Sequence, residues 1–295
     1  MKALHRFRSS LASGATAVLF FGVLPARAGI AQVDIFKNVV YTQNSGSAPT
    51  TPTNYFADAE LVEANPGDFD SATVLFPGAS TYTSPGTPVN LPVESPTQFG
   101  IGPSYATQAD MDSDFPEGTY TFTGTNSGTA TSVTAPLDYS VPVDGPDAFT
   151  ADIPALTSAT FNALQGMDPT QPFTFNFNSY TPNGNTNSAG TFLEVFGTSF
   201  GFSGADTSTS ATMAANTLLP NTTYTYELDF SNRINGTTTA SDNSPVFSLV
   251  GFDVRTDGTF TTGASPIPEP APDMLLGIGL LGMAELGRRS KRRHR

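Results

Sequence analysis

Asp110, Asp112 and Asp114, followed by Glu117, form the densest acidic cluster in this 295-residue chain. Carboxylates at alternate positions of a loop are the donors a Ca²⁺ ion takes. The sixth position from Asp110 is Phe115, where a calcium loop turns on Gly, and the twelfth is Thr121 in place of a bidentate Glu. The expectation is therefore no metal, with Asp110, Asp112 and Asp114 as the one Ca²⁺ candidate and a solvated helical turn as the plainer reading. Asp138, Asp144 and Asp147 are more scattered. Asp206-Thr207-Ser208 has the residue order of an aspartic-protease carboxylate but no second copy, so a polar loop is expected. Gly100-Ile101-Gly102 lacks the downstream Lys of a phosphate loop.

Both histidines, His5 and His294, lie at the chain ends, and there is no Cys. That removes Ser-His-Asp and Cys-His catalysis, zinc held by His or Cys, and a near-neutral imidazole acid or base. Carboxylate chemistry stays open. A glycan-hydrolysing module needs two carboxylates about a sugar, usually with aromatic platforms, and the chain has no Trp. No catalytic residue and no cofactor is assigned. Asn221-Thr-Thr and Asn235-Gly-Thr match the N-glycosylation pattern.

The basic residues concentrate at the two ends. Between Gly29 and Pro266 only Lys37, Arg233 and Arg255 stand against 23 acidic residues, a net charge of −20. Such a body repels nucleic acid and anionic lipid, so DNA and RNA partners are rejected. Lys2, Arg6 and Arg8 precede an apolar run from Ala15 to Leu24, and Ala26-Arg27-Ala28 comes before Gly29. This is the order of a secretory signal peptide, with signal peptidase expected to cut between Ala28 and Gly29. At the other end Pro268-Glu269-Pro270 precedes the apolar run Met274–Leu286. The chain closes with Arg288, Arg289, Lys291, Arg292, Arg293 and Arg295. Thirteen helical residues span roughly 20 Å at 1.5 Å each, short of the about 17–25 residues of a durable bilayer anchor. The basic tail is expected to stay cytoplasmic and the acidic body outside.

Pro268-Glu269-Pro270, the short Gly/Leu-rich segment and the Arg-rich end together resemble the PEP-CTERM sorting signal. The resemblance implies a bacterial chain that is exported and held transiently in the inner membrane. An exosortase then processes it near the Pro-Glu-Pro motif and it is sorted to the envelope or extracellular matrix. Asp273 and Glu285 depart from the usual purely apolar helix and weaken membrane retention.

The body must be positioned by strands. Phe173–Asn178 and Tyr224–Phe230 alternate apolar and polar residues with period two, and Gly118–Thr123 does so over a shorter run. Further strands are expected at Val33–Tyr41, Ser71–Phe76, Phe149–Leu156, Phe192–Phe196 and Phe247–Val250. Phe252–Arg255 and Thr259–Thr262 read as a hairpin about Asp257-Gly258. Thr107–Phe115 and Thr160–Met167 each read as one or two helical turns, and Ser45–Thr53 and Ser80–Pro96 as polar loops. Short strands between Pro, Gly and Asn clusters predict an all-β chain of one or two antiparallel immunoglobulin-like sandwiches. Prolines in Ala135–Gly145 suggest a boundary there. The division is then 1–28 signal, 29–142 β-rich domain, 143–264 immunoglobulin-like sandwich and 265–295 sorting segment. The runs Leu164–Phe175 and Leu218–Tyr226 also resemble extracellular modules of other PEP-CTERM proteins, which implies fold rather than chemistry. The leading expectation is a non-enzymatic structural or adhesive protein whose partners are the exosortase and then extracellular polysaccharide. The alternatives are a carbohydrate-binding or carboxylate-dependent glycan-hydrolysing module, and a permanently anchored single-pass surface protein.

Overall fold

The computed structural model describes residues 29–129, 131–139, 152–182 and 187–264. Both sorting signals, with Ala26, Ala28, Pro268–Pro270 and the basic tail, lie outside these residues, as does the expected boundary at 142/143. The elements run β1 (Ile30–Gln43), β2 (Asn54–Glu63), β3 (Ser71–Leu75), β4 (Val89–Leu91), β5 (Val93–Ser95), β6 (Gln98–Ile101), β7 (Ser104–Tyr105), α1 (Gln108–Asp114), β8 (Gly118–Asn126) and β9 (Thr131–Tyr139). They continue α2 (Ser158–Leu164), β10 (Phe173–Asn176), β11 (Ser188–Val195), β12 (Gly201–Gly204), β13 (Ser210–Met213), β14 (Thr223–Thr239) and β15 (Pro245–Thr261). The chain is all-β. A nine-stranded sheet runs β12-β11-β14-β15-β1-β2-β6-β5, with β7 on β2; a four-stranded sheet runs β4-β3-β8-β9; β10 and β13 pair alone. Every pair of these strands is antiparallel except β1 and β15, which pair in parallel from Gln32↔Phe247 to Gln43↔Gly258.

Residues paired across strands share a face, so the register shows which face of the large sheet is covered. Val33, Ile35, Ala57, Ala59, Leu61, Val250 and Phe252 point to one face and form a core with Val74, Tyr120, Phe122, Leu137 and Tyr139 of the four-stranded sheet. Leu193, Val195, Tyr226, Leu228, Phe230 and Phe260 point to the same face and form a second core with Phe175, Met213, Phe161 and Leu164. Both cores therefore lie on one face, at opposite ends of the long β14–β15 pair. The chain does not divide between them at one point, because Ala240, Val246, Val250 and Phe252 complete the first core from the C-terminal half.

The expected alternation of β14 is observed: Tyr224, Tyr226, Leu228 and Phe230 are buried. The helical turns are α1 and α2, capped by Thr107 and Thr157. Four expectations change. Asp257-Gly258 is not a hairpin turn but the interior of β15, because both flanks pair with β14, and the first also with β1, rather than with each other. Gly258 instead makes room for a ring: a Cβ there would lie 2.4 Å from Tyr226. The region Ala135–Gly145, expected to hold a boundary, opens on a strand: Ala135–Tyr139 belongs to β9, an edge strand where Pro136 costs no ladder bond. Within Phe149–Leu156, the described part from Asp152 forms no strand, only the bridge Leu156↔Phe177. Within Ser80–Pro96, two three-residue strands, β4 and β5, form at sheet edges.

One row of side chains ties the N-terminal strand to the second core. Gln43, Gly258 and Tyr226 are register neighbours on β1, β15 and β14. Gln43 is 1% exposed. Its Nε2 donates to the Leu156 carbonyl at 3.0 Å, and its Oε1 accepts from Leu156 N–H and the Tyr226 hydroxyl, each at 3.0 Å.

Candidate functional site

The three aspartates singled out by sequence do not converge. They sit on α1, where about 100° separates successive residues. Asp110 accepts from the Thr107 hydroxyl at 2.7 Å and Asp114 from the Thr81 hydroxyl at 2.6 Å. Asp112 accepts at 2.6 Å from Lys37, which is buried on the core side of β1 with its ammonium over the Tyr139 ring. The three carboxylates thus serve a cap, an ion pair and a loop tie. Asp206 lies in a turn and binds the Thr207 amide. Asp138 is exposed on β9. Asp144 and Asp147 lie outside the described residues.

The charged chemistry of the body gathers elsewhere, on the second face of the nine-stranded sheet. Register places Asp34, Asp58, Glu60, Glu194, Glu227, Asp229, Asp253 and Asp257 there, against Arg233 and Arg255. Glu94 joins them from β5, its carboxylate lying over Gly100, the register partner of Glu60. On the β14–β15 side the charges are organised. Arg255 takes Asp257 with two hydrogen bonds, at 2.7 and 3.0 Å, and Glu227 at 2.7 Å. Arg233 donates to Ser231 at 2.8 Å and stands 4.7 Å from the Phe192 ring centroid and 5.9 Å from that of Phe36. Ser231 in turn donates to Asp253. Phe36 lies flat over Gly251, where a Cβ would meet its ring at 2.3 Å.

Burial raises several of these carboxyl groups. Asp229 is held well above the usual carboxylate range by burial and then by the neighbouring Glu227; Glu227 is also raised by burial, against the pull of Arg255. Asp253 is raised by burial in spite of Arg233 and Ser231. On the β1–β2 side Asp34 and Asp58 are raised well above their ordinary values by burial, with Glu60 adding to both. Glu60 is pushed up to about 7 by burial and then by Glu94.

Buried carboxyl groups thus share this face with two guanidinium groups. Glu227 and Asp229 lie two residues apart on the same face of β14 and interact strongly with each other. Among the described residues no three acidic side chains form a group able to hold a metal ion. No described helix is long and apolar enough to cross a membrane. Sequence reading missed this face because its members come from strands up to about 200 residues apart in the chain. The one signal was the polar half of the alternations, Glu227 and Asp229 between Tyr226, Leu228 and Phe230, which reads as solvent-facing.

No family model matches the chain, and no curated protein matches it. Among solved structures, the FN1-FN3 domains of chicken CNTN1 overlay with a TM-score of 0.24 and 9% identity, covering 82% of this chain and 68% of that one. A Ca²⁺-stabilized adhesin that helps an Antarctic bacterium reach out and bind ice overlays with a TM-score of 0.22 and 11% identity. That overlay covers 81% of this chain and half of the adhesin chain. The all-β class rests on the strand pairing above rather than on these overlays.

Proposed function

We propose that this chain is an exported, non-enzymatic protein of a bacterial envelope or extracellular matrix, sorted by an exosortase and structural or adhesive in exopolysaccharide. The observation that carries the reading is the C-terminal order of Pro268-Glu269-Pro270, the apolar run Met274–Leu286 and six basic residues in the last eight. The basic start and Ala26-Arg27-Ala28 support export. In the sequence of events proposed, signal peptidase releases Gly29, the short apolar run pauses in the inner membrane, and the exosortase separates body from tail.

The test is the intact mass and both termini of the protein recovered from its native host. A product starting at Gly29 and ending near Pro268–Pro270, without the Arg tail, is the expected result. A chain that still carries Met274–Arg295 would overturn sorting and make the apolar run a permanent anchor. Turnover of a glycan that a single Asp→Asn change abolishes, with the fold retained, would overturn the non-enzymatic reading in favour of a carboxylate-dependent hydrolase.

A further inference from the structure

We propose that Asp34 and Glu60 hold one proton between them, and that this proton locks the β1–β2–β6–β5 edge of the large sheet, tightening it in acid and loosening it above neutral pH. The inference goes beyond the sorting reading and does not depend on it. The two carboxyls stand directly opposite on β1 and β2, a position about 5 Å apart at Cβ where like charges repel. Asp34 is 2% exposed. Its Oδ2 accepts from Gln32 Nε2 at 2.7 Å, while its Oδ1 is buried with no hydrogen-bond partner. A buried acceptor beside a second carboxyl is where a missing hydrogen belongs.

The neighbours offer negative charge and little else. On β6, Gly100 pairs with Glu60 and leaves the space above it to Glu94 of β5, which would stand 2.8 Å from a Cβ at that glycine. Gln98 of β6 lies near Glu60 and favours its ionised form, against burial and Glu94. Asp58 lies two residues along β2 on the same face, and Asp253 of β15 adds to its repulsion. Arg233 of β14 is the cation whose field reaches Asp34, and it is the smallest of the influences there, after burial, Gln32 and Glu60. Burial holds Asp34 well above its ordinary range and Glu60 at about 7. A proton fits better than a metal ion, because no three acidic side chains among the described residues form a metal-holding group. The edge is the part that would respond, since β5 and β6 are only three and four residues long.

The test is hydrogen exchange of the Gln98–Ile101 amides in the full chain between pH 5.5 and 8.5, corrected for the intrinsic rate. Wild type should lose protection about tenfold or more as pH rises through 7, following the change centred on Glu60. Glu60→Gln, which carries a fixed hydrogen, should stay protected to pH 8.5, and Asp34→Asn should move the same way if Glu60→Gln fails to fold. Unchanged protection in wild type would overturn the proposal. So would an equal loss in wild type and both variants. Protection restored at pH 8.5 by millimolar Ca²⁺ would put a metal ion where the proton is placed, and overturn it too.

Discussion

Replacing Gln43 by Ala is expected to weaken the body by about 3 kcal/mol, although the residue touches no charged group. The change removes three hydrogen bonds made by one buried amide. Each is worth about 0.5–1.5 kcal/mol net, and each buried partner left alone costs about 1–3 kcal/mol. The partners are the Leu156 amide, the Leu156 carbonyl and the Tyr226 hydroxyl. Water entering the vacated space recovers part of that cost, which brings the sum to about 3 kcal/mol. Urea unfolding is the assay: with a slope of about 2 kcal/mol per M, the midpoint should fall by about 1–2 M. Gln43→Glu sharpens the test. A carboxylate still accepts from Leu156 N–H and Tyr226, but it sets a negative oxygen against the Leu156 carbonyl. That variant should be weakest at pH 8 and recover toward pH 5, where the protonated acid donates again. A loss below about 1 kcal/mol for Gln43→Ala, or a pH-independent Gln43→Glu, would refute the idea that this row fastens β1 to the second core.

Gly258→Ala should cost about 1–3 kcal/mol by overpacking, since its Cβ would lie 2.4 Å from the Tyr226 ring; a substitution without effect in thermal unfolding would contradict that packing. Asp112→Ala should cost about 2 kcal/mol by stranding the buried Lys37 ammonium, less than the 3–5 kcal/mol of a fully enclosed pair because Asp112 is 30% exposed. Lys37→Met combined with Asp112→Ala should recover most of that loss in the same urea assay. Stability should fall as pH rises from about 5 to 8. Asp34, Asp58, Glu60 and Asp229 all have folded pKa values raised above their unfolded ones, so the folded chain binds more protons in that window. Unfolding curves at pH 5.5, 7 and 8.5 with the opposite slope would refute the burial of this face.

The strands with apolar alternation were legible because a half-buried strand must alternate. β14 and β8 contain their expected segments, α1 lies within the expected Thr107–Phe115, and α2 begins two residues before the expected Thr160–Met167. Asp257-Gly258 misled because a turn dipeptide reports only local preference. Inside β15 that preference is outweighed by pairing with β14 along the whole strand and with β1 beside it. Pro136 misled for a related reason: whether a proline ends a strand depends on whether its edge is paired, which is a property of the sheet. The Asp110–Asp114 spacing matches a calcium loop only if the segment is a loop; on a helix it turns Asp112 about 200° away from Asp110 and Asp114.

Sequence by itself determined what depends on composition and local order. The all-β class, the inward faces of the long alternating strands, the absence of His and Cys chemistry in the body and the acidic charge of that body all follow from which residues are present and how they alternate. The tertiary structure alone decided that the first and last described strands lie side by side in parallel and that both cores share one face. It alone gathered carboxyls from β1, β2, β5, β11, β14 and β15 on the other face. Pairing between strands about 200 residues apart is set by the burial of whole sheets, which no local pattern encodes. The same burial raises Asp34, Asp58, Glu60, Glu94, Glu227, Asp229 and Asp253, so even their charge state was a consequence of the fold.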